Sequence, residues 1–458
     1  MGNDFEADIF GNGLQRKLGP LTATAIVVAN MIGAGIFTTS GIMAAQLPGP
    51  AWVLFCWLFC GLIAISGALC YAELATRMPE AGGEYVYLRR LYHPALGFMT
   101  GWTSFFIGFS APIALSALAF SEYLFAGLAH RFPASSPQQF WLIKKAVAVA
   151  VIATFTALHY VGLRLGARVQ NLLTALKIAI ILGLACAGLA FGSGDWANLS
   201  FDVSGSAGRG GGMALGAAMI MVMFSYSGWN ASAYIAGELK RPRSTLPISL
   251  VAGTSIVIFL YLALNIFIFR SAPYAELQGV VAVVEVAAVS AFDNWVAYLL
   301  GGLIGLAMLS SLSAFVLIGP RVYYAMARDR LFFPFAGQVH RRYGVPSIAI
   351  AVQGLTAAVM VAVGSIEQLL IYVGFALGIF PWMAVAGLFI ARRRRVGEES
   401  AASAWGYPFV PIFFLLSTLA LMVLAFVERP LESSAAVVTV MLGLPCYRFL
   451  IRKAGRAE

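Results

Sequence analysis

The sequence predicts an all-α integral membrane protein of about twelve transmembrane helices. Three observations carry that expectation. Of 458 residues, 60% are hydrophobic and only 11% are charged, whereas soluble domains carry about 25% charged residues. The mean hydropathy is +0.84. The apolar residues fall in long runs broken by charge or turn clusters, and about 20 apolar residues cross a bilayer. A water-soluble core cannot absorb this much apolar surface, and no polar stretch is long enough to form a separate soluble domain.

The runs place spans at roughly 19–46, 51–78, 95–129, 141–163, 166–191, 212–239, 246–270, 294–327, 346–363, 367–391, 408–427 and 431–451. Between the seventh and eighth, residues 272–293 carry Glu276, Glu285 and Asp293 and read as an amphipathic outer segment with a short interfacial helix. The first 17 residues contain Asp4, Glu6 and Asp8. They lack the basic start and cleavage site of a signal peptide, so they read as a cytoplasmic tail before a retained first helix.

Charge sets the orientation. The chain has 30 basic and 20 acidic side chains, a net charge of +10. With the N-terminus inside, most bases fall on inner loops and span ends, among them Arg16, Lys17, Arg89, Arg90, Lys240, Arg241, Arg341, Arg342 and Arg392 to Arg395. Only Arg131, Lys144, Lys145, Arg209, Arg270 and Arg429 fall outside. Cytoplasmic loops carry the excess of Lys and Arg. Both termini are therefore expected in the cytoplasm, and the positive charge does not point to nucleic acid. The run from Arg392 to Arg395 reads as an inner anchor, with a lipid-headgroup site as the alternative.

Several features point away from an enzyme. Cys56, Cys60, Cys70, Cys186 and Cys446 lie in apolar stretches and read as small buried hydrophobes. His93, His130, His159 and His340 are scattered without metal-ligand spacing. No nucleophile–base constellation appears, and no cofactor or metal is expected. The Gly-rich stretch from Gly205 to Gly212 lacks the Gly-Lys-Ser/Thr ending of a phosphate loop and reads as an outer linker. Glu73, Glu84 and Glu238 lie among bases near inner span ends and read as ion pairs or helix caps, with gating as the alternative. Glu122, near the outer end of the third span, is a lesser candidate for a proton path.

Two spans carry interruptions. The first holds Asn30-Met31-Ile32-Gly33-Ala34-Gly35-Ile36-Phe37, and the sixth holds Phe224-Ser225-Tyr226-Ser227-Gly228-Trp229-Asn230. Taken alone, Gly-x-Gly in a span reads first as a close packing contact between helices. Packing does not explain two interruptions at corresponding places about five helices apart, which is the pattern of an inverted-repeat transporter. An unwound segment leaves free amides at one half-helix N-terminus, where an anion is favoured. It leaves free carbonyls at the facing C-terminus, where an ammonium is favoured. A zwitterion such as an α-amino acid satisfies both.

Lys177 stands alone within the fifth span. It follows Arg168 by nine residues, about 13 Å along a helix. Snorkelling to an interface from that depth is strained, and intramembrane charges usually mark ion or proton pathways.

These residues resemble the amino acid–polyamine–organocation (APC) superfamily, and within it the amino-acid permeases of the L-type and bacterial exchanger branch. The matching motifs are Ile32 to Phe37; Tyr71-Ala72-Glu73-Leu74 through Gly82-Gly83-Glu84-Tyr85; Val169-Gln170 leading to Lys177; Phe224 to Asn230 running into Gly237-Glu238 and Arg241-Pro242; and Arg321 to Asp329. The resemblance implies a LeuT-type fold of two inverted five-helix repeats with broken helices 1 and 6, plus two additional helices. On that frame residues 1–17 are an inner tail, 18–191 the first repeat, 192–211 an outer linker, 212–391 the second repeat, 392–407 an inner loop, 408–451 the added pair and 452–458 an inner tail. The resemblance implies a substrate site at Met31, Ile32, Gly33, Ala34, Gly35, Phe224, Ser227, Gly228, Trp229 and Asn230. The backbone at Ala34 and Gly35 would hold a carboxylate, the carbonyls of Met31, Phe224 and Ser227 an amine, and the Phe224 ring would cover the guest. Lys177, near Ser310, Ser311 and Ser313, would fill the place that sodium takes in sodium-coupled relatives.

The expectation is a sodium-independent secondary transporter of neutral amino acids, an exchanger or a proton-coupled symporter working by alternating access. Its partners would be an amino acid and the lipid bilayer. Residues 130–140 contain no cysteine, so no disulfide-linked heavy chain is expected; a prokaryotic inner membrane is favoured and a monomer is allowed. Ser227 stands where cation-selective relatives often carry an acid, which weakens a cationic substrate. A polyamine, amine or organic-acid antiporter on the same fold is the alternative. A membrane-embedded enzyme or a channel fits less well.

Overall fold

The computed structural model describes residues 14–33, 35–126, 137–199, 212–280, 282–292, 294–363, 373, 376–428 and 430–454. The tails at 1–13 and 455–458, Ala34, the outer-linker residues 200–211 and the outer bases Arg131, Arg209 and Arg429 lie outside them. So do His130 and Asp293.

Among the described residues the chain is helical, with a single isolated β-bridge between Leu18 and Leu239. The first interrupted span is α1 (Pro20–Met31) followed by α2 (Gly35–Ala44). Next come α3 (Pro50–Arg77) and the short α4 (Glu84–Leu91). The third span runs through α5 (Pro94–Thr103), a π-helical stretch (Ser104–Ser110) and α6 (Ala111–Ala126). Then follow α7 (Pro137–Val161), α8 (Leu163–Ala190), α9 (Gly212–Ser225) and the single turn α10 (Ala231–Tyr234). The chain continues as α11 (Pro242–Ser271), the short α12 (Tyr274–Leu277) and α13 (Val283–Ala291), and the long α14 (Asn294–Arg328). It ends with α15 (Ser347–Val363), α16 (Ala376–Arg393), α17 (Phe409–Glu428) and α18 (Pro430–Ala454).

Proline sets several starts. Pro20, Pro50, Pro94 and Pro242 each occupy the first turn of a helix, where a missing N–H costs no hydrogen bond. Among the described residues, eight helical stretches are long and apolar enough to cross a membrane, and three further apolar helices are shorter. The stretch between the seventh and eighth spans, expected to hold one short helix, forms two, α12 and α13.

The helices are not equally central. The apolar windows of Pro20–Ala44, Pro94–Glu122 and Gly302–Arg328 are 71%, 72% and 72% buried, whereas Gln139–Val161 and Phe409–Val427 are 11% and 28% buried. The outer helices turn large apolar side chains such as Leu355, Leu416 and Val427 away from the protein, as a lipid environment allows. α11 packs along α3 and α1, α14 along α6, and α15 along α7.

Ion pairs and backbone bonds show which helix ends share a side. Lys17 and Leu18 donate to the carbonyl of Glu238 at 2.9 Å, so the segment before α1 is pinned to the end of the sixth span. Arg321, near the end of α14, grips the Glu238 carboxylate with Nε at 2.6 Å and Nη2 at 3.1 Å. Glu73, near the end of α3, takes Arg77 at 2.8 Å and Arg392 of α16 at 2.6 Å. At the opposite ends, Arg270 closes α11 by donating to the carbonyl of Gly188 of α8 at 3.0 Å, and Lys144 meets Glu122 at 2.5 Å.

Candidate functional site

The first span breaks where its sequence loses apolar bulk. α1 stops at Met31, and Ile32 turns extended with φ −77° and ψ 94°. α2 starts at Gly35; Ala34 lies outside the described residues. The sixth span breaks after Ser225. Gly228 takes φ +94°, a conformation open to glycine and strained for other residues. Both interruptions are therefore real.

They also face each other, through glycine. A Cβ on Gly228 would lie 2.9 Å from Asn30 Cβ and 3.0 Å from its carbonyl carbon. A Cβ on Gly35 would lie 2.2 Å from Ser225 Oγ. Close packing and chain breakage, rival readings of the sequence, are both present: the breaks interlock because the glycines permit it. The Tyr261 hydroxyl of α11 lies between both buried helix ends, 2.7 Å from the carbonyl of Met31 and 2.9 Å from that of Ser225, and its one O–H donates to either in turn. A single phenol thus joins the C-termini of α1 and α9. The Phe224 carbonyl accepts from the Ser227 N–H at 3.0 Å inside the second break.

Lys177 does not snorkel. It is fully buried and its ammonium donates to the carbonyls of Ile32 at 2.6 Å and Ala29 at 3.2 Å, and to Ser311 Oγ at 2.7 Å. All three N–H donors are used. The acceptors include the last turn of α1, where the carbonyl ends of the helix favour a cation. Ser311 also donates to Ile32 at 2.6 Å. Lys177 is therefore the knot that ties α8 to α1 and α14. Of the three serines grouped with it, only Ser311 touches it. Ser310 meets Thr174 and Gln170, and Ser313 meets His159 at 2.9 Å.

Between the breaks lies a cavity of about 130 Å³. A water needs roughly 10–15 Å³ of such space, so the cavity suits a small organic solute. Met31, Gly33, Gly35, Phe224, Ser227, Gly228, Trp229 and Asn230 line it. Ile32 does not, because its carbonyl turns to Lys177 and Ser311. Trp229 stands edge-on against Tyr71 with ring centres 4.8 Å apart.

The sequence reading missed part of the wall. Thr103 and Ser104, at the join of α5 and the π-helical stretch, line the cavity, as do Tyr234 and Glu84. The Thr103 hydroxyl is buried and has no hydrogen-bond partner among the described residues. A π-helical turn widens the helix and is frequent at functional sites; its only sequence trace is the run Thr103-Ser104 in an apolar span. Glu84 differs from the glutamates it was grouped with. It takes hydrogen bonds from Tyr71 Oη at 2.7 Å, Asn230 Nδ2 at 2.5 Å and Tyr234 Oη at 2.5 Å, and no ion pair among the described residues. Glu122, by contrast, is half exposed and paired with Lys144.

Fold and cavity define a polytopic helical membrane protein with an internal cavity between two interrupted spans. A model of the amino acid permease family matches residues 18–444. The serine/threonine exchanger SteT of Bacillus subtilis (strain 168) is 30% identical over 445 residues, covering 95% of this chain and 97% of that protein. The b(0,+)-type amino acid transporter 1 of Mus musculus is 29% identical over 451 residues, 97% of this chain and 90% of the relative. The Asc-type amino acid transporter 1 of Mus musculus is 25% identical over 443 residues, 95% of this chain and 81% of the relative. The chain belongs to the amino acid permease family. It is a membrane transporter, not an enzyme.

Proposed function

We propose that the protein is a sodium-independent secondary transporter of neutral amino acids that works by alternating access. The observation that carries this reading is the pair of interlocked breaks around one cavity, with the Lys177 ammonium fixed behind the first. Free amides and carbonyls at the breaks match the two ends of a zwitterion. In this reading Ala34 and Gly35 bind the carboxylate through their amides, and the carbonyls of Met31, Phe224 and Ser227 receive the amine. Each of these carbonyls has two lone pairs, so the Met31 bond to Tyr261 leaves one for the guest. Phe224 covers the guest, and Ile32, Gly33, Gly228, Trp229 and Asn230 shape the breaks. Thr103 adds an unpartnered hydroxyl in reach of the cavity.

Lys177 acts as a built-in cation where a sodium ion would otherwise be needed, with Ser311 as its hydroxyl ligand and Ser310 and Ser313 as supports. The relatives are named for amino acids, and one for exchange of serine and threonine, which favours a small neutral cargo. The packing of α3 on α11, α6 on α14 and α7 on α15 joins elements about five spans apart, as two inverted repeats (18–191 and 212–391) would, with 408–451 as an added pair and twelve spans in all. The shared side of Glu73, Glu238 and their arginines is the cytoplasmic side of a prokaryotic cell membrane. No covalently attached heavy chain is required.

The test is uptake into liposomes holding the purified protein. A labelled neutral amino acid should accumulate or exchange against internal amino acid. No uptake of any common amino acid would sink the proposal.

A further inference from the structure

Glu73 and Glu238 each meet an arginine. Glu84 does not. It is 3% exposed, and no Lys, Arg or His lies within ion-pair distance of it among the described residues. Its three partners are neutral side chains. Tyr71 comes from α3, Asn230 caps α10 and Tyr234 is its last residue, in the single turn beyond the second break. Tyr87 faces it from its own helix.

Other charged groups near α4 are engaged elsewhere. Asp329 holds Arg89 at 2.6 Å and Tyr85 at 2.7 Å. Glu80 pairs with Arg90 at 2.5 Å. Arg394 donates to the carbonyl of Leu91 at 3.1 Å, and His93 caps α5. A buried carboxylate without a counter-charge is costly to keep ionised. Glu84 lies between the second and third spans, and burial raises its pKa above the usual carboxylate range while the three donors pull it back. Proton uptake therefore moves toward neutral pH.

The hydrogen bonds leave one acceptor position of the carboxylate open. Oε1 already accepts two bonds and Oε2 one, so Oε2 keeps a lone pair. A proton fits there without displacing a donor.

We propose that Glu84 is the proton-binding site of the transport cycle. A proton entering from the cavity forms an O–H bond at Oε2 and cancels the negative charge. The neutral acid then holds Asn230 and Tyr234 less strongly, which frees α10 to move. This deepens the transport reading and rests on it.

The test compares the wild type, Glu84→Gln and Tyr234→Phe in liposomes, with labelled L-serine, L-alanine, L-leucine, L-lysine and L-arginine as probes between pH 5.5 and pH 8. Wild-type uptake should change at least about fivefold across this range, and that of Glu84→Gln by less than about twofold, because the amide cannot titrate. Tyr234→Phe removes a donor that favours the ionised form, so the midpoint should move to higher pH. That readout stands even where Glu84→Gln fails to fold. A flat wild-type profile, a wild-type profile in Glu84→Gln, or an unmoved midpoint in Tyr234→Phe would each overturn the proposal while leaving amino-acid transport intact. Loss of lysine and arginine uptake alone in Glu84→Gln would assign the carboxylate to a cationic substrate and also overturn it. No uptake of any common amino acid at any pH would bring down the transport reading and this one with it.

Discussion

Lys177 and Glu84 are both buried ionisable groups without a counter-ion among the described residues, and they are held in opposite ways. Lys177 gives two of its three hydrogen bonds to backbone carbonyls of the first span. Those acceptors cannot leave without unwinding the helix end. Glu84 receives all of its bonds from side chains, which can swing away by rotamer changes. The first arrangement suits a group fixed in the place of an ion. The second suits a charge that comes and goes. Glu238, gripped by both ends of the Arg321 guanidinium, is a third case: an acid locked in place by its partner.

The largest effect should follow from breaking the fixed charge. Lys177→Ala takes the ammonium from the Ala29 carbonyl and Ser311 Oγ and leaves the Ile32 carbonyl only its bond from Ser311, and each buried group left unsatisfied costs about 1–3 kcal/mol. Uptake should fall at least about tenfold, since 1.4 kcal/mol is already a factor of ten. Lys177→Arg should keep part of the activity because a cation remains. Initial rates on monodisperse protein decide this, and near-normal uptake by the alanine variant would make Lys177 a mere space-filler.

A smaller effect is expected at Tyr261. Tyr261→Phe keeps the ring against Trp57 and Tyr226 and removes only the hydroxyl between the Met31 and Ser225 carbonyls. A net hydrogen bond contributes about 1 kcal/mol, so uptake should drop by a factor of about five. A thermal melt separates the causes. Slower uptake with an unchanged melting temperature places the phenol in the moving joint, whereas a lower melting temperature with normal uptake makes it structural.

What was legible in the sequence is what disturbs an apolar run locally. Gly33, Gly35 and Gly228 interrupt spans, and Lys177 is a lone charge in one, so each stands out without neighbours. Most helix limits follow for the same reason, with Pro20, Pro50 and Pro94 marking the starts. What was not legible depends on contacts between distant segments. Ser310, Ser311 and Ser313 share one short stretch, but helical rotation turns them to different partners, and only packing selects Ser311 for Lys177. Glu73, Glu84 and Glu238 look alike among nearby bases. Arg392 lies 319 residues from Glu73, and nothing local shows that Glu84 lacks such a partner. Tyr261 is an ordinary tyrosine in an apolar span until α11 packs against α1.

The central claim is that the Lys177 ammonium occupies the role of a coupling ion. Replacing sodium by choline on both sides of liposomes holding the purified protein tests it most directly. The account predicts unchanged initial uptake of labelled neutral amino acid, within the scatter of the assay. A strict requirement for sodium would contradict it.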